Sequence, residues 1–123
     1  MASAEPDIRR LQPEERLSGA VAHAGLLHLA GQVPDDPTAD AEAQTADILR
    51  QIDALLAEAG TTRSRVLSVQ VFLADMADYD AMNRAWDHWV DRDHLPARIT
   101  VQARLANPRW RVEITGIAAL PSG

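Results

Sequence analysis

The stretch Val66-Leu67-Ser68-Val69-Gln70-Val71-Phe72-Leu73 decides the fold class, because it is a strand pattern set between two helical ones. Leu67, Val69, Val71 and Leu73 fall on one side of a period-two chain, with Ser68 and Gln70 on the other, so the strand is expected to bury one face. Before it, Ile48, Ile52, Leu55, Leu56 and Ala59 recur at three-and-four spacing across Ala41 to Ala59, and Gly60 stands just beyond as a stop signal. After it, Tyr79, Met82, Trp86 and Trp89 keep helical spacing from a start near Ala77-Asp78 to the loop before Leu95-Pro96. Two amphipathic helices flanking a one-faced strand need a sheet to cover.

The remaining strands are found outward from there. Leu17 to His23 alternates, Ala24-Gly25 offers a turn, and Leu26 to Ala30 reads as a buried strand, which together predict a β-hairpin. Arg98 to Leu105 and Trp110 to Ala119 are two further strands separated by Ala106-Asn107-Pro108. The expected order is ββαβαββ: an α+β fold with one mixed sheet and both helices on a single face. Residues 1–16, polar and carrying Pro6 and Pro13, are expected to form a loose or edge-pairing arm, 17–120 the single domain and 121–123 a tail. On the strand from Arg98, the side bearing Thr100, Gln102 and Arg104 is expected to face away from the helices and suit a subunit interface, which predicts a homo-oligomer.

Composition narrows the functions open to the chain. Its 123 residues suffice for one domain, and its 46% hydrophobic and 24% charged content is that of an ordinary globular protein. A net charge of −6 opposes nucleic-acid binding. No apolar run approaches a membrane span, and Met1-Ala-Ser-Ala-Glu-Pro-Asp lacks the order of a signal peptide, so a cytoplasmic location is expected. Having no cysteine, the chain has no thiolate ligand or nucleophile; having no lysine, it cannot form an internal Schiff base.

Two residues stand out as carriers of chemistry. Arg98 opens a strand directly after Pro96-Ala97, and its planar fork suits a carboxylate. Glu113 lies between Val112 and Ile114, where a carboxylate is either half-solvated or held near an arginine and is able to orient water. Their strands are sequential, which suggests hairpin neighbours. Elsewhere, Asp87, His88, Asp91, Asp93 and His94 are metal-ligand types without a recognised spacing, and charged helix ends are commonly solvated. Ser18-Gly19 lacks a nucleophile elbow, and His23 and His28 read as packed or exposed. Arg104, Arg109, Trp110 and Arg111 form one basic-aromatic patch in an otherwise acidic chain.

Six landmarks in order, Ala30-Gly31-Gln32-Val33-Pro34, Glu42-Ala43-Gln44-Thr45, Val71-Phe72-Leu73-Ala74-Asp75-Met76, Tyr79-Asp80-Ala81-Met82-Asn83, Pro96-Ala97-Arg98 and Val112-Glu113-Ile114, resemble the RidA (YjgF/YER057c/UK114) family. The likeness spans about Leu17 to Leu120, and Trp86-Asp87-His88-Trp89-Val90 with Gln102 to Trp110 looks most like its YoaB-type branch. The resemblance implies a chorismate-mutase-like homotrimer with clefts lined by two subunits. It further implies hydrolysis of reactive 2-imino or enamino acids to 2-keto acids and ammonia, without metal or organic cofactor. By the same likeness, Arg98 would bind the substrate carboxylate, Glu113 would position water, and Leu17, Ser18, Ala30, Gly31, Ala97 and Thr100 would line the ligand. Leu17 replaces a common tyrosine, Ala30 a serine, and Thr100 a cysteine of some members, which implies an altered substrate preference. A carboxylate-binding trimer without turnover is the alternative, and an endoribonuclease a more distant one.

Overall fold

The computed structural model describes residues 7–121; the beginning of the expected arm (1–6) and the end of the expected tail (122–123) lie outside the described residues. The elements run β1 (Arg9–Pro13), β2 (Ser18–His23), β3 (Leu26–Gln32), α1 (Ala41–Glu58), β4 (Val66–Leu73), α2 (Tyr79–Trp89), β5 (Ala97–Gln102) and β6 (Val112–Ala119). They form one mixed sheet of order β1-β2-β3-β6-β4-β5, covered by the two packed helices. This is the expected α+β architecture with one more strand. The arm takes the edge-pairing role: β1 lies antiparallel to β2, and Leu11, opposite Ala20, is its single buried residue.

Local chemistry explains the boundaries. Ala24 and Gly25, at φ 53° and 82°, make the tight β2–β3 turn, whose positive dihedrals glycine adopts freely. Asp40 caps α1 by accepting a hydrogen bond from Ala43 N at 2.8 Å. The core lies between helices and sheet, where Leu27, Ile48, Leu55, Val71, Leu73, Met82, Val112 and Ile114 are buried. Among the described residues no helix is long and apolar enough to cross a membrane.

Three expectations need correction. β5 and β6 are not hairpin neighbours, because β4 lies between them, parallel to β5 and antiparallel to β6. A strand-helix-strand crossover through α2 delivers β5 parallel to β4, as such connections do. Leu67 does not join the buried face; it is 49% exposed, at a register shift between Val66 and Ser68. The faces of β5 are also reversed. Arg98 is in register with buried Val69 and Thr100 with buried Val71, so the polar side faces the helices. Ile99 and Val101, 53% and 39% exposed, point to the open face instead. The reason is partner chemistry, since α2 offers Asn83 and the ring of Trp86 to a guanidinium on that side.

Candidate functional site

Glu113 sits on the open face of β6, opposite Phe72 of β4. Its neighbour on the other side is a bulge in β3. There the register passes from Leu29–Gly116 to Gln32–Ile114, so Ala30 and Gly31 occupy one position too many. Side chains close the gap: Thr115 Oγ1 donates to Leu29 O at 2.6 Å and Gln32 Nε2 to Ala30 O at 3.0 Å. The bulge presses Gly31 against the Glu113 carboxylate. A Cβ at Gly31 would collide with Glu113 Oε2, so only glycine leaves the carboxylate where it stands.

A surface cavity of about 630 Å³ opens at this point, lined by Leu17, Ala30, Gly31, Gln32, Trp110 and Glu113 among others. Half-buried in its wall, Glu113 has its carboxyl pushed above the ordinary glutamate value by desolvation. Of the two environments open to it from sequence, the half-solvated one is realised; Arg111 turns instead to Asp78, at 3.3 Å. Gly31→Ala is expected to swing the flexible Glu113 side chain aside. The fold should hold within about 1 kcal/mol, because Gly31 is exposed and the obstacle is a side-chain tip. Any reaction that uses the Glu113 carboxylate should nonetheless slow by about tenfold or more, read by comparing kcat with the unfolding midpoint.

Arg98 occupies a second, separate position. Its Nη1 donates to Asn83 Oδ1 at 2.8 Å and reaches Met82 Sδ at 3.8 Å, and its Nη2 approaches Tyr79 OH at 3.4 Å. The guanidinium carbon stands 5.0 Å from the centre of the Trp86 ring and 6.0 Å from that of Tyr79. All these partners come from one face of α2, at i, i+3, i+4 and i+7. None of them is anionic. By contrast Arg63, Arg84 and Arg111 each meet a carboxylate, that of Asp53, Glu42 and Asp78 respectively. Arg98 is thus a fixed cation whose charge no neighbouring carboxylate among the described residues cancels.

One chain does not bring Arg98 and Glu113 together. They lie two strands apart, about 10 Å laterally, and on opposite faces of the sheet, since Arg98 aligns with Val69 and Glu113 with Phe72. The cavity gathers Leu17, Ala30, Gly31 and Glu113. Arg98 and Thr100 share the helix side of β5, and Thr100 Oγ1 is buried without a hydrogen-bond partner among the described residues. Ala97 is exposed on the open face beside Ser68, and Ser18 is half-buried at the start of β2, opposite Pro13. His23 and His28 lie on β2 and β3, the former half-buried and the latter exposed. In the Asp87-to-His94 segment, His94 Nδ1 lies 3.0 Å from Asp91 Oδ2, and Arg92 lies 3.7 Å from Asp87.

Sequence reasoning names Asn83 and Trp110 but assigns neither to the site. The helical spacing that placed Tyr79, Met82 and Trp86 on one face of α2 also places Asn83 there, so the signal for Asn83 was present. Trp110, expected to open the last strand and grouped with Arg104, Arg109 and Arg111 as a basic-aromatic patch, instead precedes β6 and lines the cavity with Glu113.

The architecture and the glycine-backed glutamate define a class, the YjgF-type α+β domain. A YjgF-family crystal structure from Neisseria meningitidis superposes with a TM-score of 0.91 at 46% identity, covering 95% of this chain and 98% of that one. The Endoribonuclease L-PSP family model matches residues 7–120. Curated relatives include the RutC family protein YoaB of Escherichia coli, 48% identical over 92% of this chain and 98% of that protein. A RutC family protein of Haemophilus ducreyi is 47% identical over 92% of this chain and 97% of its own length. The chain belongs to the YjgF/RidA family, in its YoaB-like branch.

Proposed function

We propose that this protein is a cytoplasmic hydrolase that converts reactive 2-imino and enamino acids to 2-keto acids and ammonia, without metal or cofactor, in clefts between the subunits of a homotrimer. The observation that carries this reading is Arg98, a guanidinium fixed by neutral groups and free to receive a carboxylate. A site using both Arg98 and Glu113 needs two chains, because a single chain holds them on opposite faces. The exposed Ile99 and Val101 on the open face of β5 supply apolar surface for such an assembly.

The chemistry asks little of the protein. Arg98 of one subunit fixes the substrate carboxylate by two parallel hydrogen bonds. Glu113 of the next accepts a proton from water as the oxygen attacks C2, and the C=N bond opens to a tetrahedral carbinolamine. The same carboxyl returns that proton to nitrogen, then takes the carbinol O–H proton and passes it to nitrogen as the C=O bond forms and the C–N bond breaks, so both protons of the water leave on ammonia and the 2-keto acid remains. A carboxyl raised by burial is a stronger base for the first step and stays close to the proton it must return. Leu17, Ala30 and Trp110 give the cleft an apolar lining that orients the remainder of the substrate.

The test is removal of 2-imino acids generated in situ by an amino-acid oxidase, followed across pH. Turnover is expected, with an acid limb in kcat/KM displaced upward from that of an ordinary glutamate. The sign follows from the mechanism: the ionised carboxylate is the active form and burial raises its pKa, so activity is lost earlier on acidification than for a free glutamate. Glu113→Gln should abolish that limb along with most of the rate. Binding of 2-keto acids without turnover of any imino acid would leave a carboxylate-binding trimer instead. Cleavage of RNA, the activity for which the family model is named, would require affinity that falls steeply with salt.

A further inference from the structure

We propose that Asn83 is a positioning residue whose neutrality is its function: it orients Arg98 while leaving the guanidinium charge unspent for a carboxylate ligand. The proposal rests on the carboxylate-binding reading of Arg98 given above.

A guanidinium carries five N–H groups in a rigid plane. In this protein Nη1 donates to Asn83 Oδ1 at 2.8 Å and to Met82 Sδ at 3.8 Å, and one Nη2 hydrogen points to Tyr79 OH at the longer 3.4 Å. The Nε–H has no acceptor among the described residues. The plane is held from one side by the buried Trp86 ring, 5.0 Å from the guanidinium carbon, through a quadrupole that attracts the cation without neutralising it. Between them, an amide oxygen, a phenol oxygen and an indole face fix the direction of the fork and leave an edge of it open for two parallel bonds to a carboxylate.

The neutral choice is meaningful because the same helix shows the alternative. Arg84, the residue after Asn83, is tied to Glu42 Oε1 at 2.7 Å, and Arg111 faces Asp78 at 3.3 Å. Both of these arginines are held by carboxylates, whereas Arg65 on another element is held by the backbone carbonyls of Ala119 and Leu120, at 3.3 and 3.1 Å. An aspartate at position 83 would be nearly isosteric and would hold Arg98 at least as firmly. It would also set a negative charge within hydrogen-bond distance of the cation that is to attract another negative charge. Asparagine supplies the geometry alone.

The experiment uses the assembled protein and 2-oxobutanoate, a plain 2-keto acid, titrated calorimetrically into wild type, Asn83→Ala, Asn83→Asp, Arg98→Ala and the Arg98→Ala/Asn83→Asp double variant. Asn83→Ala removes orientation but leaves the charge, so Kd should rise about threefold to tenfold. Asn83→Asp keeps orientation but cancels the charge, so Kd should rise about a hundredfold while the unfolding midpoint stays level or increases. In the Arg98→Ala background the aspartate should cost much less, because its effect passes through Arg98. A residue needed only for structure would give the opposite order, with the alanine variant less stable and the weaker binder. That order, or wild-type affinity in Asn83→Asp, overturns the proposal while the carboxylate site stands. Failure of the wild type itself to bind 2-oxobutanoate overturns both.

Discussion

Arg98→Ala is expected to lower kcat/KM for imino-acid hydrolysis by about 100- to 5000-fold. The magnitude follows from what truncation removes: a hydrogen-bonded charge pair screened from water, worth about 3–5 kcal/mol when one partner is deleted. Most of the loss should appear in both kcat and KM, since in the proposed site the guanidinium would bind the substrate and also align its C2 against the water that Glu113 would direct. Arg98→Lys should recover little, because a single ammonium cannot reproduce the planar fork or its stacking on Trp86. The fold should survive. Arg98 is half-buried at an edge strand, and its loss forfeits the hydrogen bond to the half-buried Asn83, a longer one to Tyr79 OH and the contacts with the Trp86 and Tyr79 rings, about 2 kcal/mol together. Circular dichroism and the assembled mass should match wild type. Unchanged turnover in the folded variant would sink the assignment of Arg98, whereas lost turnover with lost assembly would show Arg98 to be structural.

The fold was legible where local patterning and packing agree. β4 alternates, α1 and α2 keep their apolar spacing, and Ala24-Gly25 signals a turn that the positive dihedrals bear out. β1 was harder to read, because one buried residue, Leu11, is no pattern and only pairing with β2 makes Arg9–Pro13 a strand. The position of β5 was available but misread. A strand, a helix and a strand in succession imply parallel neighbours, and this outweighs the turn signal at Ala106-Asn107-Pro108 that suggested a hairpin with β6.

The orientation of β5 was not legible at all. Alternation says that Ile99 and Val101 share a face, and hydrophobicity alone assigns that face to the core. Two long-range facts reverse it: Asn83 and Trp86 receive Arg98 beneath α2, and the apolar strip remains on the open face, where another copy can cover it. The site follows the same division. Arg98 and Glu113 were recognisable as residues, since each departs from its strand's surroundings. Their separation to opposite faces was not, because it depends on the strand order, and the meeting of Gly31 with Glu113 depends on a bulge that leaves no sequence period.

Gln44→Ala should be among the most destabilising single changes outside the apolar core, costing about 2–4 kcal/mol and lowering the unfolding midpoint by about 10 °C. Gln44 is fully buried on the first turns of α1, yet it is polar at both ends of its amide. Its Nε2 donates to Ala39 O at 3.0 Å and Arg109 O at 3.2 Å, with Pro37 O further off at 3.4 Å. Its Oε1 accepts from Arg111 N at 2.7 Å. One side chain therefore joins the loop entering α1 to the connection that leads into β6. Truncation leaves those backbone groups without partners and opens a void, and the two effects separate in a pair of variants. Gln44→Met fills the volume but cannot hydrogen-bond, so it should recover only the smaller share of the loss. Denaturant unfolding at fixed protein concentration measures both, with concentration held constant because assembly would shift the midpoint. The change should also reach the site, since Trp110 and Glu113 flank the anchored Arg111 and both line the cavity. A freer connection there should lower turnover under conditions where the variant is still folded. Equal stability of Gln44→Ala and wild type would mean that solvent satisfies the connection as well as Gln44 does.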